Sequence, residues 1–169
     1  MNLDYLKIIL RFIHILSGVF WVGGSLILGF FISPTVAATA DAGQKFMAHL
    51  VTKGKITIRI TVAAILTVLA GGWLYWIDSD GLTSGWQTST AGIGFGIGAV
   101  LALIGLIFGI MVGINTIALV TVGGRIQGKP TPEQMSQIQA AQNQLKIVGP
   151  LNQAGLILAL ICMATARYW

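Results

Sequence analysis

The chain has 169 residues, 55% of them hydrophobic and only 9% charged, where a soluble domain carries roughly a quarter of its residues as charge. With a mean hydropathy of +0.83, that composition excludes a soluble enzyme, a nucleic-acid-binding domain and a disordered chain. The net charge of +5 and the single cysteine, Cys162, point to membrane sidedness rather than an acidic partner, and leave no internal disulfide or cysteine-rich metal site.

The charges leave four long uncharged runs, each near or beyond the roughly 20 residues that span a bilayer. They predict an all-α, four-transmembrane-helix bundle in a single domain, 1–169, with spans at about 8–33, 56–77, 91–122 and 147–167. None of the runs alternates apolar and polar residues as a barrel strand does. The first run ends at Ser33-Pro34, where the residue before proline is pushed out of the helical region. Lys7, Arg11 and the small residues Ala38-Thr39-Ala40 imitate a signal peptide. The apolar stretch is too long for one, so it is read as a retained span.

Between the first two spans, Asp41 to Lys53 is expected to extend the second helix. In the second span, Gly71-Gly72 offers a small surface for a partner helix. The third span carries small residues four apart, Gly94, Gly98 and Ala102, then Gly105, Gly109 and Gly113. Such a face lets helix backbones approach closely, and packing within the bundle is the expected use, with Gly155 of the fourth span as a partner. Thr131-Pro132-Glu133-Gln134 reads as a capping box with proline at the first helical position. Met135, Ile138, Ala141, Leu145 and Val148 follow at helical spacing. This amphipathic stretch is expected to pack against the Asp41–Lys53 extension, and Pro150 is expected to kink or restart the helix.

Seven basic residues, Lys45, Lys53, Lys55, Arg59, Arg125, Lys129 and Lys146, fall on one side of the predicted membrane. The positive-inside rule makes that side cytoplasmic. The protein is then a multi-pass protein of the inner (plasma) membrane with both termini on the non-cytoplasmic side. Trp73, Trp76, Trp86, Trp169 and all three tyrosines also fall on that outer side, as an interfacial aromatic belt does.

The most informative constellation is on the first helix. Lys7, Arg11, His14, Gly18, Trp21 and Ser25 are spaced to share one face. Polar groups in a span are costly and mark function. His14 is the one histidine inside a span, and neutral imidazole ligates haem iron or copper, or relays a proton. Gly18 would give a planar macrocycle room, Arg11 would meet a propionate or lipid phosphate, and Trp21 would line the cofactor. The competing reading has His14 hydrogen-bonding a neighbouring helix and binding nothing. His49 stands on the other side, roughly 27 Å away at 1.5 Å per residue, so the two histidines cannot share an iron within one chain. Met163 is read as packing, and Arg59 as snorkelling to the interface. Asn115, Asn152 and Gln153 are read as interhelical hydrogen-bonding groups. With no acidic residue inside a span and no nucleophile, phosphate-loop or zinc motif, no catalytic residue is assigned.

The order His14, six residues, then Trp21-Val22-Gly23-Gly24 resembles the first helix of CopD-like membrane domains of the copper-resistance type. It is also similar to the opening of HemJ-type protoporphyrinogen oxidases. The resemblance implies a compact helical membrane protein and, from the haem-associated members, a haem ligand at His14. The leading expectation is a small membrane subunit holding a b-type haem through His14 for electron transfer, more a cofactor protein than an enzyme. The alternatives are a structural accessory subunit of a larger membrane complex, a HemJ-like oxidase, or CopD-like copper handling. The expected partners are the lipid bilayer and other membrane subunits or further copies of the chain, with no nucleic acid.

Overall fold

The computed structural model describes residues 3–169, which are overwhelmingly helical and contain no strand. Four of its helical segments, Leu3–Ala38, Ile56–Asp78, Thr90–Gly123 and Pro132–Tyr168, are long and apolar enough to cross a membrane. The bundle is inside-out relative to a soluble protein. Ile8, Phe12, Ile15 and Val19 form an exposed apolar stripe along the first helix, as lipid contact requires.

Helix α1 (Leu3–Ile27) does not stop at Ser33-Pro34. It passes through a wide π turn, Leu28–Ile32, into α2 (Ser33–Ala38). Pro34 has no N–H, and its ring would press on the carbonyl four residues back in a regular helix. The wide turn accommodates it. The Ser33 N–H bonds back to the Leu28 carbonyl, five residues earlier, and Ser33 keeps a helical φ of −60° and ψ of −46°. The steric bias before proline is therefore overridden locally.

Helix α3 (Ala40–Thr52) follows a one-residue break at Thr39 and packs chiefly against α2 and α5. The expected pairing with the amphipathic start of the last helix is not its main contact. A second turn, with Lys55 in the left-handed region at φ 48°, separates α3 from α4 (Ile56–Asp78), so α3 is a separate helix rather than an extension.

Helices α5 (Thr90–Gly123) and α6 (Pro132–Thr165) form the most extensive pair, and α1 with α4 the second. The capping box forms as expected: Thr131 Oγ1 accepts from the Gln134 N–H at 3.2 Å, and Gln134 Oε1 accepts from the Thr131 N–H at 2.9 Å. From there α6 runs unbroken through Pro150, so proline does not restart it. Ala141 and Val148 of the amphipathic stretch are buried.

The glycine face of α5 meets α6 along most of its length. A Cβ at Gly94 would touch Ala166, one at Gly98 Met163 and Cys162, one at Gly105 Leu156, and one at Gly109 Asn152. At Gly105 that Cβ would lie 2.8 Å from Leu156 Cδ2, while Gly155 abuts the Gly105 backbone. Leu156 is 0% exposed and joins Trp21, Ala63 and Ala64 in the core. The two helix pairs thus meet where Trp21 of α1 and Leu156 of α6 converge. Gly105→Val is expected to lower stability by about 1–3 kcal/mol through overpacking, seen as a lower midpoint of thermal unfolding in detergent.

Candidate functional site

The polar stripe of α1 faces α4, and the two helices run antiparallel. At the end nearest the α4–α5 loop, Lys7 Nζ pairs with Asp78 at 2.8 Å, each side chain about a quarter exposed. Two turns further along, His14 Nδ1 lies 2.8 Å from the carbonyl oxygen of Thr67. A carbonyl only accepts, so Nδ1 carries the proton, and in the neutral ring Nε2 keeps its lone pair. No side chain or backbone group among the described residues bonds to Nε2. Thr67 Oγ1 meets Ser17 Oγ at 2.9 Å, and Ser17 Oγ donates to the Ile13 carbonyl at 2.5 Å.

The imidazole is seated by a missing side chain. A Cβ at Gly71 would lie 2.6 Å from His14 Cε1 and 2.8 Å from Nδ1, whereas one at Gly72 would meet nothing within 4 Å. The small surface of the second span therefore has a specific use: Gly71 receives His14, and Gly72 faces outward.

The other stripe residues divide. Gly18 packs against Thr67, whose Cγ2 would stand 3.5 Å from an added Cβ. The space beside Gly18 is occupied by α4. Arg11 is exposed. Trp21 is 2% exposed within the core. Ser25 lines a separate cavity closer to the other end of the bundle. The structure therefore brings His14 and Gly18 together against Thr67, and leaves Arg11 and Trp21 apart from them.

Met163 lies over Gly98, on α5 rather than at His14, and His49 is exposed on the last turn of α3. Asn115 donates to the Met111 carbonyl of its own helix at 2.8 Å, so it does not bridge helices. Gln153 packs directly over Gly29 across the helix interface. Among the described residues no group of three or more His, Cys, Asp or Glu side chains could hold a metal ion. Beside the α4–α5 loop Trp86 packs edge-on to Tyr75 at 5.2 Å and stacks on Phe95 at 6.2 Å. Trp73, Trp76, Tyr168 and Trp169 are exposed, as belt residues are.

The sequence reading missed Ser17 and Thr67, although Ser17 follows His14 by one helical turn. It also missed the cavity, about 320 Å³, that opens between all four long helices and contains neither His14 nor any charged residue. No family model, curated protein or solved structure matches this chain, and nothing in these comparisons bears on the CopD-like or HemJ-like resemblance.

Adjacent glycines give a sharp test. Gly71→Ala is expected to destabilise the bundle, while Gly72→Ala is expected to be neutral or stabilising by a few tenths to about 1 kcal/mol, since alanine favours helix. His14→Ala should relieve the Gly71→Ala penalty in a double-mutant cycle read by thermal unfolding. Additive penalties would show that the two side chains do not compete for the same space.

Proposed function

We propose that this chain is a non-catalytic membrane subunit, a four-helix structural element of a larger membrane assembly. The observation that supports this most is the employment of the α1 stripe. Lys7, His14 and Gly18, which in another arrangement would frame a cofactor, are all engaged in holding α1 on α4. Interhelical hydrogen bonds are a principal attraction between helices in lipid, where apolar side chains gain little from association. The exposed apolar stripe of α1 is then the face offered to lipid and to neighbouring subunits. The distribution of basic residues supports a plasma-membrane orientation with both termini outside the cytoplasm.

One observation favours a second reading, haem ligation by His14. Metal-bound histidines commonly donate the other ring N–H to a backbone carbonyl, which fixes the ring and its tautomer. His14 Nδ1 does this with Thr67, so Nε2 would be the atom to hold a haem iron. The rest of the stripe does not fit a macrocycle in the same way. Thr67 fills the space at Gly18, Trp21 is in the core, and Arg11 stands apart. A haem there would supply one-electron transfer, with His14 oriented by Thr67 and Gly71.

A reduced-minus-oxidised absorbance spectrum of the full-length protein, purified in mild detergent, separates the readings. The structural reading expects no haem bands, and His14→Ala should lower thermal stability without any spectral change. Haem bands in the wild type that vanish in His14→Ala would overturn it and establish the second reading.

A further inference from the structure

The cavity between the long helices lies away from His14, and its walls change character along the bundle. One end is apolar: Trp21 of α1, Ala64 of α4 and Leu106 of α5 close it against the core. Further along, Ser25 of α1 and Gln153 of α6 join the lining, both half-buried. At the other end Ile56 and Leu145 are the last lining residues of α4 and α6. Beside them in sequence, outside the lining, stand Lys55 and Lys146. Both lysines are exposed, and neither meets a carboxylate among the described residues.

The two polar groups at the middle level are open to a ligand. Thr61 and Thr116 commit their hydroxyls to carbonyls of their own helices, at 2.9 and 2.8 Å. Thr57 Oγ1 and Asn152 Oδ1 are sealed from the space. Ser25 and Gln153 are neither committed nor sealed. Ser25 Oγ does not return to the carbonyl four residues back, as Ser17 Oγ does to Ile13, and the Gln153 amide bonds to no group among the described residues. Gln153 Nε2 lies over Gly29, one turn from Ser25, so the two donors serve neighbouring points, about 6 Å apart along α1. The lysines stand farther out, about 10 Å from Gln153 along α6. Lys55 is about 8 Å along α4 from Ile60, which packs on Gly24 beside Ser25. Lys55 and Asp78 bracket α4 about 35 Å apart, so a hydrocarbon core of about 30 Å fits between them and Lys55 falls in the head-group layer.

We propose that this cavity holds one acyl chain of an anionic phospholipid, with its ester carbonyl at Ser25 and Gln153 and its phosphate at Lys55 and Lys146. Hydrocarbon, ester and phosphate follow one another in a phospholipid in the order in which the apolar end, the two free donors and the two lysines follow one another here. The ester carbonyl is an acceptor, which Ser25 Oγ–H and Gln153 Nε2–H can both supply with a proton. Flexible four-carbon stems carry the ammonium groups to the phosphate, which stays in the wet interfacial layer and is not buried. Two unpaired cations favour a net anionic head group over a zwitterionic one. At about 320 Å³ the cavity is at the small end of the range for ligand sites, which suits one chain rather than two.

The test titrates full-length protein in mild detergent with phosphatidylglycerol or with phosphatidylcholine of matched chains, and counts retained lipids by native mass spectrometry. One phosphatidylglycerol per chain should bind saturably and more tightly than phosphatidylcholine. Ser25→Phe, which fills the cavity beside the apolar end, should weaken binding of both lipids at least about tenfold. Gln153→Leu should weaken both several-fold, the scale of one hydrogen bond. Lys55→Gln with Lys146→Gln should lower phosphatidylglycerol affinity roughly tenfold and leave phosphatidylcholine unchanged, while Arg125→Gln, away from the cavity, should change neither. No saturable binding, or equal affinity for the two lipids, would overturn the proposal. So would unchanged affinity in Ser25→Phe, which would place the lipid on the outside of the bundle. If Ser25→Phe does not fold, Gln153→Leu decides, and unchanged affinity there overturns the proposal.

Discussion

Lipid gives apolar helices almost no reason to prefer one another over acyl chains, so close approach has to supply the attraction. The α5–α6 contact answers that constraint most directly. Glycines at 94, 98, 105 and 109 remove side chains from one face of α5, and Ala166, Met163, Leu156 and Asn152 move into the vacated space. Many small dispersion contacts replace the missing hydrophobic drive. Leu156, held against Gly105, also carries that contact inward to Trp21 and the alanines of α4. The remainder of the bundle is assembled on this pair.

The α1–α4 pair uses a different attraction. It rests on an ion pair, a histidine bonded to a carbonyl and a serine–threonine contact, with Gly71 making room for the imidazole. Directional bonds hold this pair where the α5–α6 pair relies on complementary shape. The division lets the span that carries the histidine stripe share a bundle with the glycine-faced α5. It also separates two kinds of polar residue. Those of the His14 group satisfy one another across a helix interface. Thr57 Oγ1 and Asn152 Oδ1 are buried without a hydrogen-bond partner.

Much of the architecture was legible in the residues. The intervals between charges located four helices, the Thr131–Gln134 box marked the start of α6, and the four-residue glycine spacing located the tight interface. Local rules failed where tertiary packing overrides them. Ser33-Pro34 read as a terminus, but a π turn absorbs the proline. Pro150 read as a kink or restart, but α6 continues through it without a restart. Helix periodicity put His14 on a face without saying which neighbour the face meets. Thr67 is 53 residues away in sequence, and nothing local ties them together. Asn152 and Gln153 are adjacent and looked alike, yet Gln153 is pressed on Gly29 of the π turn and Asn152 on Gly109 of α5. Only the helix rotation separates their roles.

The pairing of α1 with α4 also works as a ruler. Lys7 with Asp78, His14 with Gly71, Gly18 with Thr67 and Gly24 with Ile60 advance together in opposite directions along the two helices. Shifting α1 by one residue turns its face by about 100°. That would send Ile8, Ile15 and Val19 toward α4 and carry Lys7 and His14 toward lipid. A one-residue slip therefore loses all of these polar contacts at once. A helix that gains little adhesion from its apolar residues is thereby given a unique position.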